Sequence, residues 1–359
     1  MQANANADPT PQPKPAHPYL SAISGIIAPL TFLILLCIAL SFISKNFNTR
    51  DNYKGIMIQA AVVAILACGQ TAVIISGNID LSVGAVMAFS GVTAALMMSE
   101  PSLLYTLLSY LHLATVLHAS PHGVGVWGGV VVACLAGLVA GLLNGLITAF
   151  GKIPSFIVTL GMMGIAYGMG GILSGSQYVS GLAPGYEIFG TGEMFGSAKT
   201  DGIPYAVLIM AVVAIGVGLA LARTKWGRGL YAIGGNREAA RLSGLSLTGA
   251  TISVFALSGL LAGLASVIEV SRTSTADYSA GASYELFAVA ATVIGGTSLF
   301  GGQGGIPGTI LGALLMFTIR NGCTLNNVPA PWQRLIIGVI VILAVLYDRF
   351  SSARKRARA

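Results

Sequence analysis

Charged residues are scarce in this sequence. Asp, Glu, Lys and Arg make up only 9% of its 359 residues, whereas hydrophobic residues make up 55%. Soluble globular domains contain roughly 25% charged residues, and a soluble chain of this length needs them to cover the surface of about two domains. The shortage of charge therefore excludes a soluble protein. The 47 glycines also point to the membrane, because glycine is more frequent in membrane-spanning helices than in soluble ones.

The sequence also lacks the residue patterns of catalytic, nucleotide and metal sites. A Gly-x4-Gly-Lys-Ser/Thr phosphate loop is absent throughout the chain. No Ser or Cys nucleophile has a histidine at membrane depth to act as its base, and paired carboxylates do not occur. The chain is therefore predicted not to be an enzyme and to hold no cofactor, metal or nucleic acid. The four cysteines have no metal-ligand spacing and are expected to be small buried side chains; they are Cys37, Cys68, Cys134 and Cys323.

The apolar runs are long enough to cross a bilayer, which takes roughly 20 apolar residues in a helix. When they are cut at polar and glycine-rich segments, they predict an all-α polytopic membrane protein with about ten transmembrane helices, within a range of about eight to eleven. The predicted spans are 22–44, 55–76, 83–98, 125–150, 155–175, 203–222, 248–268, 285–300, 305–319 and 328–347.

The distribution of charge predicts the orientation of these spans, because Lys and Arg favour the cytoplasmic side. With the N-terminus inside, twelve of the 19 basic residues and four of the 12 acidic residues fall inside. The inside segments then carry a net charge of +8 and the outside segments −1. Both termini are therefore predicted to be cytoplasmic. One short outer loop, with Lys45, Arg50 and Lys54, is discordant.

Only small segments lie outside the predicted spans. Residues 1–18 are polar and proline-rich and predict a disordered cytoplasmic tail, and residues 351–359 form a basic cytoplasmic tail. Between them, residues 19–350 are predicted to form a single transmembrane domain that includes a cytoplasmic loop at 223–247. A predicted outer loop contains three histidines, for which metal binding is a minor alternative; they are His112, His118 and His122.

Asp80 stands between two apolar runs that would otherwise join, within the segment Gly77-Asn78-Ile79-Asp80-Leu81-Ser82-Val83-Gly84. A carboxylate near the bilayer centre costs about 2.5–3.5 kcal/mol, so it needs a partner, an aqueous cavity or the interface. Two interpretations stay open. The segment is either a helix break that lines a translocation path, or a cytoplasmic turn in which Asp80 caps the following helix and Ser82 supports its first turn. The two are compatible, because a capped half-helix can line a cavity.

A second glycine-rich segment, from Ile294 to Gly305, is interpreted as a sharp turn between two buried helices. It echoes the first segment weakly, which predicts discontinuous helices at two glycine-rich breaks and a weak internal repeat of the kind found in transporters. The matching residues at a constant offset are Gly77, Leu81 and Gly84 in the first segment and Gly295, Leu299 and Gly302 in the second.

Glycines recur every four residues in two of the predicted spans. Gly137, Gly141 and Gly145 form one such row, and Gly259 and Gly263 form another. Small residues at this spacing let two helices approach closely. The rows are therefore predicted to be packing surfaces.

The cytoplasmic loop contains a short predicted helix. Asn236 can cap it, the residues from Arg237 to Arg241 are good helix formers, and Gly244 can end it. Two interpretations stay open for this basic surface helix. It either rests on anionic membrane lipid or serves as a docking element for a cytoplasmic protein.

Four stretches of the sequence resemble the permease subunits of bacterial ABC importers for ribose, xylose, arabinose, galactose and related sugars. They are Gly77–Gly84 with its Asp80-Leu81-Ser82 core, Asn144–Gly161, Gly227–Gly244 with Gly234-Gly235-Asn236, and Tyr284–Gly302 with Ile294-Gly295-Gly296-Thr297-Ser298. In order and spacing they extend over about residues 50–350, nearly the whole chain.

The resemblance implies a permease homodimer in the bacterial inner membrane that moves a monosaccharide by alternating access. A periplasmic sugar-binding protein would deliver the sugar, and ABC ATPase subunits, which carry the ATP and Mg, would drive transport. The main alternative is an ion-coupled secondary sugar carrier that uses Asp80 or Glu285; an intramembrane enzyme and a structural scaffold are less favoured. The residues implied for ATPase coupling are Asn236, Arg237, Glu238, Ala239, Ala240 and Gly244, and those implied for the pathway or gate are Asn78, Asp80, Ser82, Asn144 and Thr297.

Overall fold

The computed structural model describes residues 18–99, 102–110, 123–196 and 202–358. Within these ranges the chain is mostly helical, with one antiparallel pair of two-residue strands. The helices are α1 (Pro18–Ile43), α2 (Arg50–Ile75), α3 (Val83–Met98), α4 (Leu103–Tyr110), α5 (Val126–Gly151), α6 (Ser155–Ser174), α7 (Ile188–Thr191), α8 (Tyr205–Arg223), α9 (Lys225–Gly235), α10 (Arg237–Leu242), α11 (Leu247–Thr273), α12 (Tyr284–Ile294), α13 (Ile306–Leu325) and α14 (Ala330–Arg358), and the strands are β1 (Glu193–Met194) and β2 (Ile203–Pro204).

Six of the described helices, namely α2, α5, α6, α8, α11 and α13, are long and apolar enough to cross a membrane. Shorter apolar helices lie at Ile27–Ile43, Val83–Met98, Tyr284–Ile294 and Ala330–Leu343. The prediction of a mostly helical polytopic membrane protein is therefore confirmed, whereas the count of about ten spans and the division into domains stay predictions. Residues 1–17 of the predicted tail and the three clustered histidines lie outside the described residues.

Several helix boundaries differ from the predicted spans by five residues or more, and two of them have a clear local reason. Helix α2 begins at Arg50 rather than near residue 55, because the Thr49 side chain accepts a hydrogen bond from the Asn52 N–H and caps it. Helix α12 ends at Ile294 rather than near residue 300, and Gly296 follows with a φ of 89°, which stops a right-handed helix. In both places local backbone chemistry overrides the hydropathy pattern.

The core of the bundle is formed around α2, which packs against α8, α11, α12 and α13. Of the 18 most apolar consecutive residues in α2, 89% are buried, whereas only 17% of the corresponding stretch of α8 are buried. Helices α5, α6, α8 and α14 carry large exposed apolar side chains, such as Val131, Leu160 and Ile215. An apolar outer surface of this kind suits contact with lipid or with another subunit.

The two ends of the bundle are built differently. At the α10 end, α2 finishes and α9 contacts α2 and α8. There Trp226 Nε1 of α9 donates a hydrogen bond of 2.7 Å to Ser253 Oγ in the first half of α11. At the opposite end, Lys54 of α2 forms an ion pair with Glu193 of β1. There Ser271 Oγ of α11 also accepts a 2.7 Å hydrogen bond from the Gly190 N–H of α7.

The two glycine rows meet each other. A Cβ atom added to Gly141 of α5 would collide with the Phe255 carbonyl oxygen and lie 2.9 Å from the Cα atom of Gly259 in α11. Gly137 approaches Gly259 and Gly263 in the same way. The predicted close approach is therefore confirmed, and the structure adds that the rows form one shared α5–α11 interface.

This interface predicts the effect of a single methyl group. Gly141→Ala places a Cβ atom against α11, and overpacking of this kind destabilises a protein by about 1–3 kcal/mol. Gly216→Ala is the matched control, because Gly216 of α8 has open space beside it. We expect Gly141→Ala to lower the thermal unfolding temperature in detergent and Gly216→Ala to leave it unchanged or raise it. If Gly141→Ala unfolds at the same temperature as the unaltered chain, the α5–α11 interface can accommodate a methyl group and the prediction is contradicted.

Candidate functional site

The chain between α2 and α3, residues 76–82, is here called the first connection. Gly77 turns the backbone with a φ of 80°, and α3 starts at Val83. Two of its backbone N–H groups are satisfied by side chains of α6: Ile79 donates to Ser155 Oγ and Leu81 to Thr159 Oγ1, both at 3.1 Å. Buried non-helical backbone needs such partners, so the side chains of α6 stabilise the connection.

Asp80 lies at the centre of a buried hydrogen-bond network. Its Oδ1 accepts from the Ser82 N–H at 2.9 Å and from Ser82 Oγ at 2.7 Å, and its Oδ2 accepts from Ser258 Oγ of α11 at 2.8 Å. Ser82 Oγ accepts in turn from Asn144 Nδ2 of α5 at 2.9 Å. Asp80 is 1% exposed. Its three donors are uncharged, and together they bind the first connection to α5 and α11.

The capping interpretation of Asp80 is wrong in its detail. Ser82 is the N-cap residue of α3, and its side chain forms no capping hydrogen bond to that helix. Asp80 accepts the N–H of Ser82 itself, two residues ahead, which is the pattern of an Asx turn. The carboxylate therefore shapes the turn before α3 and reaches across to α11.

The predicted pathway residues do not all come together. Asp80, Ser82 and Asn144 share the network above, whereas Asn78 donates to Ser76 Oγ, a neighbour in its own connection. Thr297 is buried in the chain between α12 and α13, beside Gly304. Glu285, the other carboxylate considered for an ion site, lies in the first turn of α12, next to Gly84 of α3.

Three residues that hold the first connection were not predicted from the sequence: Ser258, Ser155 and Thr159. Ser155 and Thr159 are four residues apart and so share one face of α6, a spacing that marks them as a polar pair in an apolar helix. Ser258 directly precedes a residue of the glycine row on α11. No local pattern links it to Asp80, because the two are 178 positions apart in sequence.

The chain between α12 and α13, residues 295–305, is here called the second connection, and it contacts the first at the end of α2. The Gly302 N–H donates to the Ile75 carbonyl oxygen at 2.9 Å. A Cβ atom added to Gly301 would lie 3.2 Å from the Cα atom of Gly77. That these connections interrupt single spans, rather than join separate helices, stays a prediction.

Helix α9 closes this contact through Gly234. A Cβ atom added to Gly234 would collide with the Ile75 carbonyl oxygen and lie 2.5 Å from the Gly302 nitrogen. Gly77, Gly234, Gly301 and Gly302 therefore pack backbone against backbone, and we call them the glycine junction. Tyr231, one turn earlier in α9, donates from its hydroxyl to the Gly304 carbonyl oxygen at 2.9 Å. Burial raises the pKa of Tyr231, so the phenol stays protonated and remains a donor.

The predicted surface helix next to this junction is confirmed. Asn236 caps α10 by accepting the Ala239 N–H at 3.0 Å, and Gly244 follows the helix with a φ of 81°. On its exposed face Arg241 donates to both carboxylate oxygens of Glu238, at 2.5 and 3.2 Å. Ala240 is only 4% exposed. Its side chain therefore packs against this chain, and the exposed residues of α10 are Arg237, Glu238, Ala239, Arg241 and Leu242.

Within the described residues no group of three or more His, Cys, Asp or Glu side chains is placed to hold a metal ion. The three clustered histidines fall outside those residues. The coupling and pathway roles of the residues above stay predictions.

Comparison with known proteins places this arrangement in a family. Residues 52–345 match the model of the permease component of the branched-chain amino acid transport system. The ribose import permease protein of Escherichia coli (strain K12) is 38% identical over 320 residues, which cover 89% of this chain and 92% of that protein. The L-arabinose ABC transporter permease protein of Azospirillum brasilense is 35% identical over 334 residues, 93% of this chain and 89% of that protein.

A third relative, the galactose/methyl galactoside import permease protein of E. coli (strain K12), is 32% identical over 91% of this chain and 94% of its own length. No solved structure matches the chain. The relatives are transport subunits rather than enzymes. The chain therefore belongs to the family of ABC importer permeases that includes these sugar permeases.

Proposed function

We propose that this chain is the transmembrane permease subunit of an ABC importer that brings a monosaccharide into the cytoplasm by alternating access. The observation that carries the proposal is the path from the exposed helix α10, through Asn236 and Gly234, to both connections of the bundle. The relatives named for ribose, arabinose and galactose support the substrate class. An ion-coupled carrier that uses Asp80 or Glu285 is not favoured, because the relatives are ABC or import permeases.

In this proposal the α10 end of the bundle faces the cytoplasm of a bacterial inner membrane, and both termini lie on that side. Two copies of the chain form the transport pathway. The exposed face of α10 docks on an ABC ATPase, which holds the ATP and Mg. A periplasmic sugar-binding protein docks on the opposite end and contributes most of the selectivity among sugars.

Close packing at the glycine junction would transmit movement between these parts. Backbone atoms in van der Waals contact cannot be compressed, so a shift of α9 must displace the ends of α2 and of the second connection. Asp80 lies three residues after Gly77. It accepts a hydrogen bond from α11 directly and is linked to Asn144 of α5 through Ser82. Movement at α10 would therefore reach the Asp80 network through a short stretch of chain, and Asn78 and Thr297 lie on the two connections that it would move.

Uptake by a reconstituted complex tests this function. We expect proteoliposomes that contain the chain, its ATPase partner and its binding protein to accumulate ribose, arabinose or galactose only when ATP is present. We expect Glu238→Arg to abolish uptake and co-purification of the ATPase while membrane insertion persists, because it reverses a charge on the exposed face of α10.

The charge-swapped variant Glu238→Arg/Arg241→Glu is the matched control, since it restores the ion pair within α10 and leaves the contact with the ATPase altered. Full recovery in the swapped variant would mean that the pair only supports the helix. Uptake that needs no ATPase and collapses with an ion gradient would contradict the proposed function itself.

The Asp80 network predicts a second transport defect. Asp80→Leu removes the acceptor of three buried donors, and each unsatisfied group costs about 1–3 kcal/mol. We expect uptake to fall by about tenfold or more, while the complex with the ATPase still elutes as one species in size-exclusion chromatography. Asp80→Asn keeps the shape and one acceptor oxygen, so its loss should be smaller. Undiminished uptake by the leucine variant would reduce Asp80 to a dispensable turn residue.

A further inference from the structure

A cavity of about 240 Å³ lies at the end of the bundle opposite α10. Its walls come from α3, from the last two turns of α11, from the segment 274–283 that follows α11 and from Tyr178, which follows α6. Drug-sized ligands occupy pockets of about 300–1,000 Å³, so this cavity suits a smaller molecule. The Asp80 network and the glycine junction do not contribute to its lining.

The segment 274–283 is held in place by hydrogen bonds and by packing against α3 and α6, so this wall of the cavity is well defined. Ala276 and Val179, which follows α6, exchange two backbone hydrogen bonds of 2.9 Å. The ring-bearing side chain of Tyr278 packs against Gly170 of α6, where an added Cβ atom would lie 3.2 Å from the Tyr278 Cβ. Further along, Gly281 packs backbone to backbone against Gly84 of α3. The glycine at position 84 therefore has a structural reason in addition to its place in the first sequence motif.

Two carboxylates line the cavity. Glu269 of α11 is 6% exposed, and Arg272 donates to both of its oxygens, at 2.7 and 3.3 Å. Asp277 accepts from the N–H and the hydroxyl of Ser279, at 2.9 Å or slightly more. A carboxylate has about four acceptor sites, so each of these groups can accept further hydrogen bonds from a ligand.

Arg272 orients the Glu269 carboxylate from outside the first cavity. Arg272 lines a neighbouring cavity of about 310 Å³ together with Asp51 and Lys54, and it is absent from the lining of the first cavity. The Glu269–Arg272 ion pair thus stands between the two cavities. It fixes the carboxylate from one side without placing a cation among the lining residues of the first cavity.

The remaining walls suit a ligand with both polar and apolar surface. Met87 of α3 and Val270 of α11 supply apolar contacts, and Tyr178, which is 71% exposed, supplies an aromatic ring at the rim. Arg272 balances the charge of Glu269, and the negative charge of Asp277 repels an anion. A purely apolar ligand would cover the remaining acceptor sites of these carboxylates without offering them a hydrogen bond. A small molecule with several hydroxyl groups and a C–H face can donate hydrogen bonds to the carboxylates and pack its C–H face against the tyrosine ring and the apolar side chains.

We propose that this cavity is a binding site for a neutral monosaccharide, in which Glu269 and Asp277 accept hydrogen bonds from the sugar hydroxyls and Tyr178 packs against the ring. The inference rests on the proposed function and deepens it: a sugar released at this end of the bundle would occupy the site before it moves further. The permease itself would then contribute to substrate recognition.

Ligand-observed saturation-transfer NMR on the purified full-length chain in detergent tests the site without the ATPase or the binding protein. The probes are D-ribose, L-arabinose and D-galactose, with D-galacturonate as the charged counterpart of galactose. We expect saturation transfer to at least one neutral sugar and a signal weaker by about tenfold for galacturonate. Absence of transfer to all three neutral sugars, or an equal signal from galacturonate, would overturn the proposal.

Three variants assign the binding to this cavity. Asp277→Asn and Tyr178→Ala alter partly or largely exposed side chains of the lining and are expected to weaken the neutral-sugar signal by about tenfold. Glu187→Gln is the matched control, because Glu187 is an exposed carboxylate at the same end of the bundle that does not line the cavity. Signals that are equal in Asp277→Asn, Tyr178→Ala and the unaltered chain would contradict the proposed site.

Failure of this inference and failure of the proposed function give different results. ATP-dependent uptake by the full complex combined with no sugar binding to the isolated chain overturns the cavity site alone. Sugar binding that depends on Asp277, combined with uptake that needs no ATPase, overturns the proposed function and supports the site.

Discussion

Buried backbone N–H and C=O groups must find hydrogen-bond partners inside the protein, and the two non-helical connections of this bundle are arranged around that requirement. In the first connection, Ser155 and Thr159 of α6 accept the N–H groups of Ile79 and Leu81. In the second, the Gly302 N–H pairs with the free carbonyl at the end of α2. Each connection is therefore stabilised by a helix distant in sequence, and neither could move without changing the packing of that helix.

The same requirement explains why glycines gather where the connections meet. The backbones of α2, α9 and the second connection approach too closely for a Cβ atom at Gly234, Gly301 or Gly302. Contact of this kind is stiff, so it joins the exposed helix α10 to the Asp80 network at one side and to the buried Thr297 at the other. Gly84 and Gly281 use the same backbone-to-backbone packing to hold the segment 274–283, which contributes to the proposed sugar site, against α3.

Much of this architecture could be predicted from the sequence, because its signals are local. The glycine rows on α5 and α11, the apolar spans and the short helix between Asn236 and Gly244 depend on spacing, propensity and capping within one segment. The partners of Asp80 could not be predicted in the same way. Ser258 is a single hydroxyl in an apolar helix, and it becomes a partner only when α11 packs against the first connection. The cavity proposed to bind sugar likewise depends on the return of the segment 274–283 along α3, which no local pattern encodes.

The link between α10 and the connections is tested most directly by the ATP hydrolysed per sugar imported in proteoliposomes, compared between Gly234→Ala and Gly235→Ala. The two glycines are adjacent, but an added Cβ atom collides with Ile75 only at Gly234 and meets open space at Gly235. The expected result is that Gly235→Ala keeps the ratio of the unaltered complex. Gly234→Ala should still assemble with the ATPase and hydrolyse ATP, with about tenfold less sugar imported per ATP. An unchanged ratio in Gly234→Ala would contradict the role of the glycine junction in coupling.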